Sequence, residues 1–362
     1  MGKSALITGC LGQDGSYLSE LLVNKGYLVH GLARQHTSSN HADNPNYAWL
    51  APLLATEKFV LHFGDILDSF FLVNLLKSLA VDEIYHLAAQ SHVGASFNLA
   101  LYSSNVDALG TLRVLQAILA TDKQKTVKLY NACSSEVFGR VVESPQTETT
   151  PFRPLSPYAT AKAFSYWTTV NMRESYGLFA CNGILFNHES PRRGLDFVTR
   201  KITYGVAAIR HGQKQTISLG NLDSRRDWGH ARDYVEGVHQ MMQLSKPDDI
   251  ILATGETHSV REFAEEVFRL ADIPIRWEGQ GTNEVAKDIH SGQVRVQVDG
   301  RLYRPNEVTY LCGSSLKAEK LLGWTSKTPF SLLVKEMLDA DMKLFDVFAE
   351  RRTRAKLTKA KL

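Results

Sequence analysis

Residues 4–26 read SALITGCLGQDGSYLSELLVNKG. Ser4 to Thr8 is a short apolar run of strand character. Gly9-Cys10-Leu11-Gly12-Gln13-Asp14-Gly15 follows, and Tyr17, Leu18, Leu21 and Leu22 then recur at helical spacing. Gly26 closes that helix. Of the three glycines at 9, 12 and 15, the first permits a tight turn and the second lets backbone approach a pyrophosphate. The third allows helix and strand to pack closely, and the helix N-terminus presents unpaired N–H groups to an anion. Gly9 to Gly15 therefore predict a dinucleotide held at the first strand–helix junction.

Outward from this turn, apolar strands are predicted at 27–32, 59–63, 83–87, 127–133, 179–186 and 249–253. Helices are predicted near 68–79, 98–120, 157–175 and 231–243. Strand alternating with helix argues an α/β fold, a Rossmann-like doubly wound parallel sheet covered on both faces. Residues 1–187, with parts of 225–255, form the predicted dinucleotide-binding domain. The alternation breaks after about residue 188. Residues 188–224 and 256–345 are assigned to a smaller, partly discontinuous α/β substrate lobe.

The 362 residues are 44% hydrophobic and 22% charged, which excludes a disordered or coiled-coil chain. Arg351, Arg352, Arg354, Lys356, Lys359 and Lys361 supply six of the 41 basic residues, leaving 35 against 38 acidic ones. Residues 346–362 thus read as a basic, solvated tail, and neither nucleic acid nor membrane is an expected partner. Cys10, Cys133, Cys181 and Cys312 are widely spaced, with no disulfide framework or zinc pattern, so a cytoplasmic setting is expected. No signal peptide or membrane span is read, and the histidines lack metal-site spacing.

No acidic residue lies between Tyr27 and Ala42, whereas Arg34 sits just past the second strand. An acid there would select NAD; an arginine favours NADP. Asp65, followed by Ile66, ends the third strand, where a carboxylate can accept from an adenine amino group. Leu87, Ala88, Ala89, Gln90 and Ser91 end the fourth, their small side chains letting backbone pass close to the cofactor ribose.

Cys133-Ser134-Ser135-Glu136 ends the fifth strand. Tyr158 lies 22 residues beyond Glu136, and Lys162 four later. Positions i and i+4 share a helix face. An ammonium beside a phenol favours phenolate and is expected to lower the Tyr158 pKa, making a base for a substrate hydroxyl.

These motifs are joined by DEIYHLAAQSHVGASF, SSEVFG, ETTPFRPLSPYATAK, NGILFNHESPRRG, FVTRKIT, LGNLDSRRDWGHARDYVEG, ATGETHSVREF and YRPNEV. From residue 5 to about 310 the chain resembles the extended short-chain dehydrogenase/reductases and, within them, the GDP-mannose 4,6-dehydratase family. The resemblance implies a lyase that oxidises C4 of a GDP-sugar, eliminates water across C5–C6 and reduces C6, with NADP regenerated. Tyr158 would take the 4-hydroxyl proton, Glu136 the C5 proton, Ser134 would bond the sugar 4-oxygen, and Lys162 would hold the nicotinamide ribose. It also implies cofactor contacts at Tyr102, His188 and Arg193. Substrate contacts would fall at Ser91, Asn187, Val198, Lys201, Arg226, Arg304 and Glu307.

Two positions depart from the family. Ser134 stands where it has threonine, and Gln35 where it has a second arginine after the second strand. There that loop reaches a neighbouring subunit, so a homo-dimer or tetramer is implied. Paired helices 98–120 and 157–175 would form the dimer core. Dehydration of a related GDP-sugar such as a GDP-heptose, a GDP-sugar reductase or epimerase, and an NADP-binding regulatory protein remain alternatives. His86 and His92 read as structural strand-end residues, and Trp228 and Trp324 as packing residues.

Overall fold

The computed structural model describes residues 2–34 and 46–359. Gln35 and most of the loop after it lie outside the described residues. The chain divides into two compact units.

The first comprises Met1–His188, Asp227–Glu256 and Tyr310–Lys327. Its sheet contains β1 (Ser4–Thr8), β2 (Leu28–Ala33), β3 (Phe59–Phe63), β4 (Glu83–His86), β5 (Lys128–Ser134), β6 (Phe179–Leu185) and β7 (Asp249–Leu252). Their order is β7-β6-β5-β4-β1-β2-β3, every neighbouring pair parallel. The reversal of direction at β1 is where such sheets bind ligands, beyond the strands' carboxyl ends.

Strand periodicity distributes side chains between two cores. In β1, Ala5 and Ile7 join the core under helices α1 (Gln13–Asn24) and Ala231–Met242; Leu6 joins the other. That second core holds Leu72, Leu75 and Leu76 of the helix Ser69–Ser78, and Leu115 and Ile118 of the helix Gly110–Ala120. Burying one such side chain contributes about 1.5–3 kcal/mol. Trp228 and Trp324 are buried, as packing residues are.

The helix predicted over 98–120 is not uniform. Ala100–Ser103 is α-helical, Ser104–Leu109 is a π-helical turn and Gly110–Ala120 is α-helical again. Apolar periodicity cannot register one extra residue per turn. The helix predicted at 157–175 runs from Pro157 to Tyr176; because it carries two of the predicted catalytic residues, it is called the catalytic helix below. Ser156 caps it by accepting from Ala159 N, Pro157 occupies its first turn, and Gly177 ends it with left-handed φ.

The second unit comprises Glu189–Arg226, Thr257–Thr309 and Thr328–Leu362. Ile275–Glu278, Val285–Asp288, Val294–Val298 and Ile217–Leu219 form a four-stranded sheet in that order. Helix Val260–Leu270 opens on a capping box between Ser259 and Glu262. Helix Val198–Arg210 packs on helix Phe330–Lys359, where Arg200 reaches the buried Asp341 at 2.6 Å.

Two segments differ from the sequence reading. Tyr310–Lys327 groups with the first unit rather than with one lobe running from 256 to 345. Its Trp324 Nε1 donates to Asp233 O at 2.8 Å and Ala318 joins the first core, contacts that local periodicity does not encode. The segment read as a tail from 346 instead continues the helix to Lys359.

Candidate active site

The first turn is shaped by backbone. Gly9 has φ +75°, and a Cβ there would meet Ala88 N at 2.9 Å. A Cβ on Gly15 would stand 2.3 Å from Gly9 O and 2.7 Å from Cys10 Cα, backbone that has no room to give. Gly12 N donates to Gly9 O at 3.0 Å. The turn is therefore pressed against the backbone at Ala88, which joins two predicted cofactor segments and suits the close approach a dinucleotide needs. Cys10 is buried and Asp14 lies in the first turn of α1.

Thr8 braces the segment after β4. Its Oγ1 accepts from Leu87 N and Ala88 N, both at 3.1 Å, and lies 2.9 Å from His86 Nδ1. With two donors already aimed at that oxygen, the hydroxyl proton is left for His86 Nδ1. Burial, and then the charge of Lys162, hold the His86 pKa down to about 3, so the ring stays neutral. His92 accepts from Ala95 N and caps the short helix Val93–Ser96.

Some other predicted cofactor residues contact one another. Arg34 donates to the Tyr102 hydroxyl at 2.5 Å. His188 places Nδ1 2.7 Å from Phe186 O and Nε2 2.8 Å from Asp14 Oδ2, while Gln13 Nε2 donates to His188 O at 2.9 Å. Asp65 Oδ1 accepts from Leu67 N, so it caps its own strand end. Ile66 is buried beside Gly110. Ser91 follows this segment, and Asn187, just past β6, has a buried Oδ1 with no hydrogen-bond partner among the described residues.

At the end of β5, Ser134 Oγ accepts from Glu136 N at 3.3 Å, and Glu136 lies buried in the 3-10 turn Ser135–Phe138. Lys162 Nζ donates to Ala132 O at 2.9 Å and sits 5.9 Å from the Tyr158 ring centroid. All four predicted catalytic residues thus belong to β5, the turn after it and the first two turns of the catalytic helix. The lysine does not by itself make the phenol acidic. Burial, and then the charge of Asp107, push the Tyr158 phenol well above its ordinary value, while the nearby Ser134 hydroxyl pulls it down.

Asp107 escaped the sequence reading. It lies in the π-helical turn, fully buried, with Oδ1 accepting from Gln90 N at 2.7 Å and Oδ2 without a partner among the described residues. Burial raises its pKa to about 6, against the charge of Lys162 and the Gln90 N–H. An acid inside the apolar run around Val106 was the available signal.

In the second unit, Arg226 lies 3.4 Å and Arg304 3.8 Å from Glu307, which brings three predicted substrate residues together. Arg193 lies 3.0 Å from Glu189 and stacks on Phe197 at 3.7 Å. Val198 and Lys201 share the first turn of the next helix. Burial, and then Lys214, lower the Lys201 pKa.

Parallel sheet, glycine turn and the Ser-Tyr-Lys arrangement define an extended short-chain dehydrogenase/reductase fold. Residues 6–337 match the family described as GDP-mannose 4,6 dehydratase. A human GDP-mannose 4,6 dehydratase is 51% identical, covering 95% of this chain and 93% of its own. One from Vibrio cholerae is 48% identical over 95% of both chains. The chain belongs to the GDP-mannose 4,6-dehydratase family. The fold also matches a dTDP-glucose 4,6-dehydratase from Bacillus anthracis solved with NAD (TM-score 0.76, 18% identity, 94% and 97% covered). It likewise matches RMD from Pseudomonas aeruginosa solved with NADPH (TM-score 0.72, 19% identity, 94% and 99% covered).

Proposed function

We propose that the protein dehydrates GDP-D-mannose to GDP-4-keto-6-deoxy-D-mannose. The observation that carries this is Glu136, buried two residues after Ser134 with its charge felt by Tyr158, in a chain about half identical to enzymes of that name. A reductase or epimerase on this fold needs no carboxylate at C5.

NADP, when bound, supplies the hydride acceptor for C4 and the hydride donor for C6. Gly9, Cys10, Leu11, Gly12, Gln13, Asp14, Gly15, Asp65, Ile66, Leu87, Ala88, Ala89, Ser91 and Tyr102 would hold it. Arg34 would meet its extra phosphate. His188 and Arg193 would add contacts. Tyr158 would remove the 4-hydroxyl proton as C4 is oxidised, the Lys162 ammonium and the positive charge of a bound nicotinamide together offsetting the burial that holds its phenol up, and Ser134 would bond the same oxygen. The ketone acidifies the C5 hydrogen. Glu136 would take that proton and deliver it to the 6-hydroxyl, which leaves as water as the C5–C6 double bond forms. Lys162, fixed to Ala132 O, orients the ribose. Asn187, Val198, Lys201, Arg226, Arg304 and Glu307 would hold the GDP-sugar, the cations matching diphosphate charge.

A second copy of the chain is the proposed partner. Leu99, Leu101 and Leu109 are exposed, as are Phe164, Trp167 and Tyr176 on the catalytic helix. A cytoplasmic setting is supported by four free cysteines. Incubation with GDP-mannose, followed by mass measurement, tests the activity. Loss of one water is expected; an unchanged mass, or loss of two hydrogens, contradicts it.

A further inference from the structure

Asn131 on β5, Asn182 on β6 and Asp249 on β7 stand in one register line across three adjacent parallel strands. Strands covered on both faces are ordinarily filled with apolar side chains. These three are polar and buried. Buried amides and carboxylates are costly unless bonded, so the useful question is where their bonds go.

They go along the row and onto the catalytic helix. Asn131 Nδ2 donates to Asn182 Oδ1 at 2.8 Å and reaches Ser165 Oγ at 3.5 Å. Asn182 Nδ2 donates to Asp249 Oδ1 at 2.9 Å and to the backbone carbonyl of Tyr166 at 3.3 Å. Asp249 accepts from two Arg173 nitrogens at 2.9 and 2.7 Å and from the Tyr166 hydroxyl at 3.2 Å. Ser165 Oγ in turn donates to the carbonyl of Lys162 at 2.9 Å.

The helix is thus gripped at Ser165, Tyr166 and Arg173, and through Ser165 at Lys162 itself. Apolar packing is non-directional and tolerates small shifts. A sheet amide bonded to one helix carbonyl does not. Lys162 lies one helical turn from Tyr166, and Tyr158 about two turns away, so a slip at the row is passed along the rigid helix.

We propose that Asn182 is a positioning residue: with Asn131 and Asp249 it fixes the register of the catalytic helix on the sheet, and so the placement of Tyr158 and Lys162 against Ser134. This rests on the assignment of Tyr158 and Lys162 as the catalytic pair.

The test is single-turnover nicotinamide reduction, read by absorbance on adding GDP-mannose to the NADP-loaded enzyme, with kcat and KM at steady state. Asn182→Leu keeps side-chain size and removes the bonds. The expected result is a rate lowered about 10–100-fold with KM unchanged, since a misplacement of 1 Å costs on that order. Leu76→Ala, in the helix Ser69–Ser78, is the control; it lowers thermal stability and keeps the wild-type rate. Asn182→Leu at the wild-type rate, or Leu76→Ala slowed as much, overturns the proposal. If Asn182→Leu does not fold, Ser165→Ala is expected to slow the step and Ser165→Thr to restore it; wild-type rates in both overturn the proposal. Tyr158→Phe separates the two levels, because a wild-type rate there overturns the underlying assignment whatever Asn182→Leu does.

Discussion

Lys162 Nζ donates to the carbonyl oxygen of Ala132 at 2.9 Å, tying its ammonium to the strand that ends in Ser134. The two chain segments that carry the proposed catalytic groups are therefore joined by the side chain of one of those groups. The same ammonium is a charge felt by His86 and Asp107, where it acts second to burial.

Glu136→Gln is expected to separate oxidation from elimination. In the proposed roles, Tyr158 would still accept the 4-hydroxyl proton, but no carboxylate would remove the C5 proton. Absorbance of reduced nicotinamide should rise on adding GDP-mannose and persist, while dehydrated product falls about 10²–10⁴-fold. Wild-type turnover in this variant rules out the role given to Glu136.

Asp107→Asn keeps an oxygen for the Gln90 N–H and removes a charge that opposes the Tyr158 phenolate. The pH profile of nicotinamide reduction should move to lower pH by about 1 unit. Stability gives a second reading with its own sign. The folded Asp107 pKa is raised from 3.8 to about 6, so its contribution is fully present below pH 3.8 and lost as pH rises through about 6. The variant should therefore gain on wild type above pH 6, by about 2–3 kcal/mol at most. Parallel pH–stability curves for the two proteins contradict this.

Gly15→Ala would place a methyl group 2.3 Å from Gly9 O. Because the obstacle is backbone, the turn itself must shift. Calorimetry should show NADP affinity lowered at least about tenfold, or about 1.4 kcal/mol. Unchanged affinity would mean the cofactor does not use this turn.

Arg173→Ala leaves the Asp249 carboxylate buried without its cation, 2.7 Å from where the guanidinium stood. A loss of about 3–5 kcal/mol in urea unfolding is expected. Burial pushes the Asp249 pKa up, but the Arg173 bonds and charge, with Asn182, bring it net below 3.8. In wild type that contribution is present above pH 3.8 and is lost as pH falls through the lowered folded value. The difference between the two proteins should shrink in acid; a constant difference contradicts the ion-pair account.

Much of the fold was legible because its signals are local. Each strand of the seven-stranded sheet is a short apolar run beside a turn or helix, and Gly9, Gly12 and Gly15 announce the first junction. Ser134, Tyr158 and Lys162 were legible as a spacing. What escaped depends on contacts distant in sequence. Trp324 returns to Asp233 across 91 residues, and Asn131, Asn182 and Asp249 become neighbours only through strand order. The direction of the Tyr158 pKa also escaped, because burial and Asp107 outweigh what a nearby lysine suggests. The second unit, built of short strands with weak periodicity, offered little to read.

In the proposed reaction hydride leaves C4 and returns to C6 of the same sugar. GDP-mannose carrying deuterium at C4, turned over by the enzyme and analysed by NMR, tests this most directly. Deuterium is expected at C6 of the 4-keto-6-deoxy product, with none released to water. Deuterium retained at C4, or lost to solvent, would contradict it.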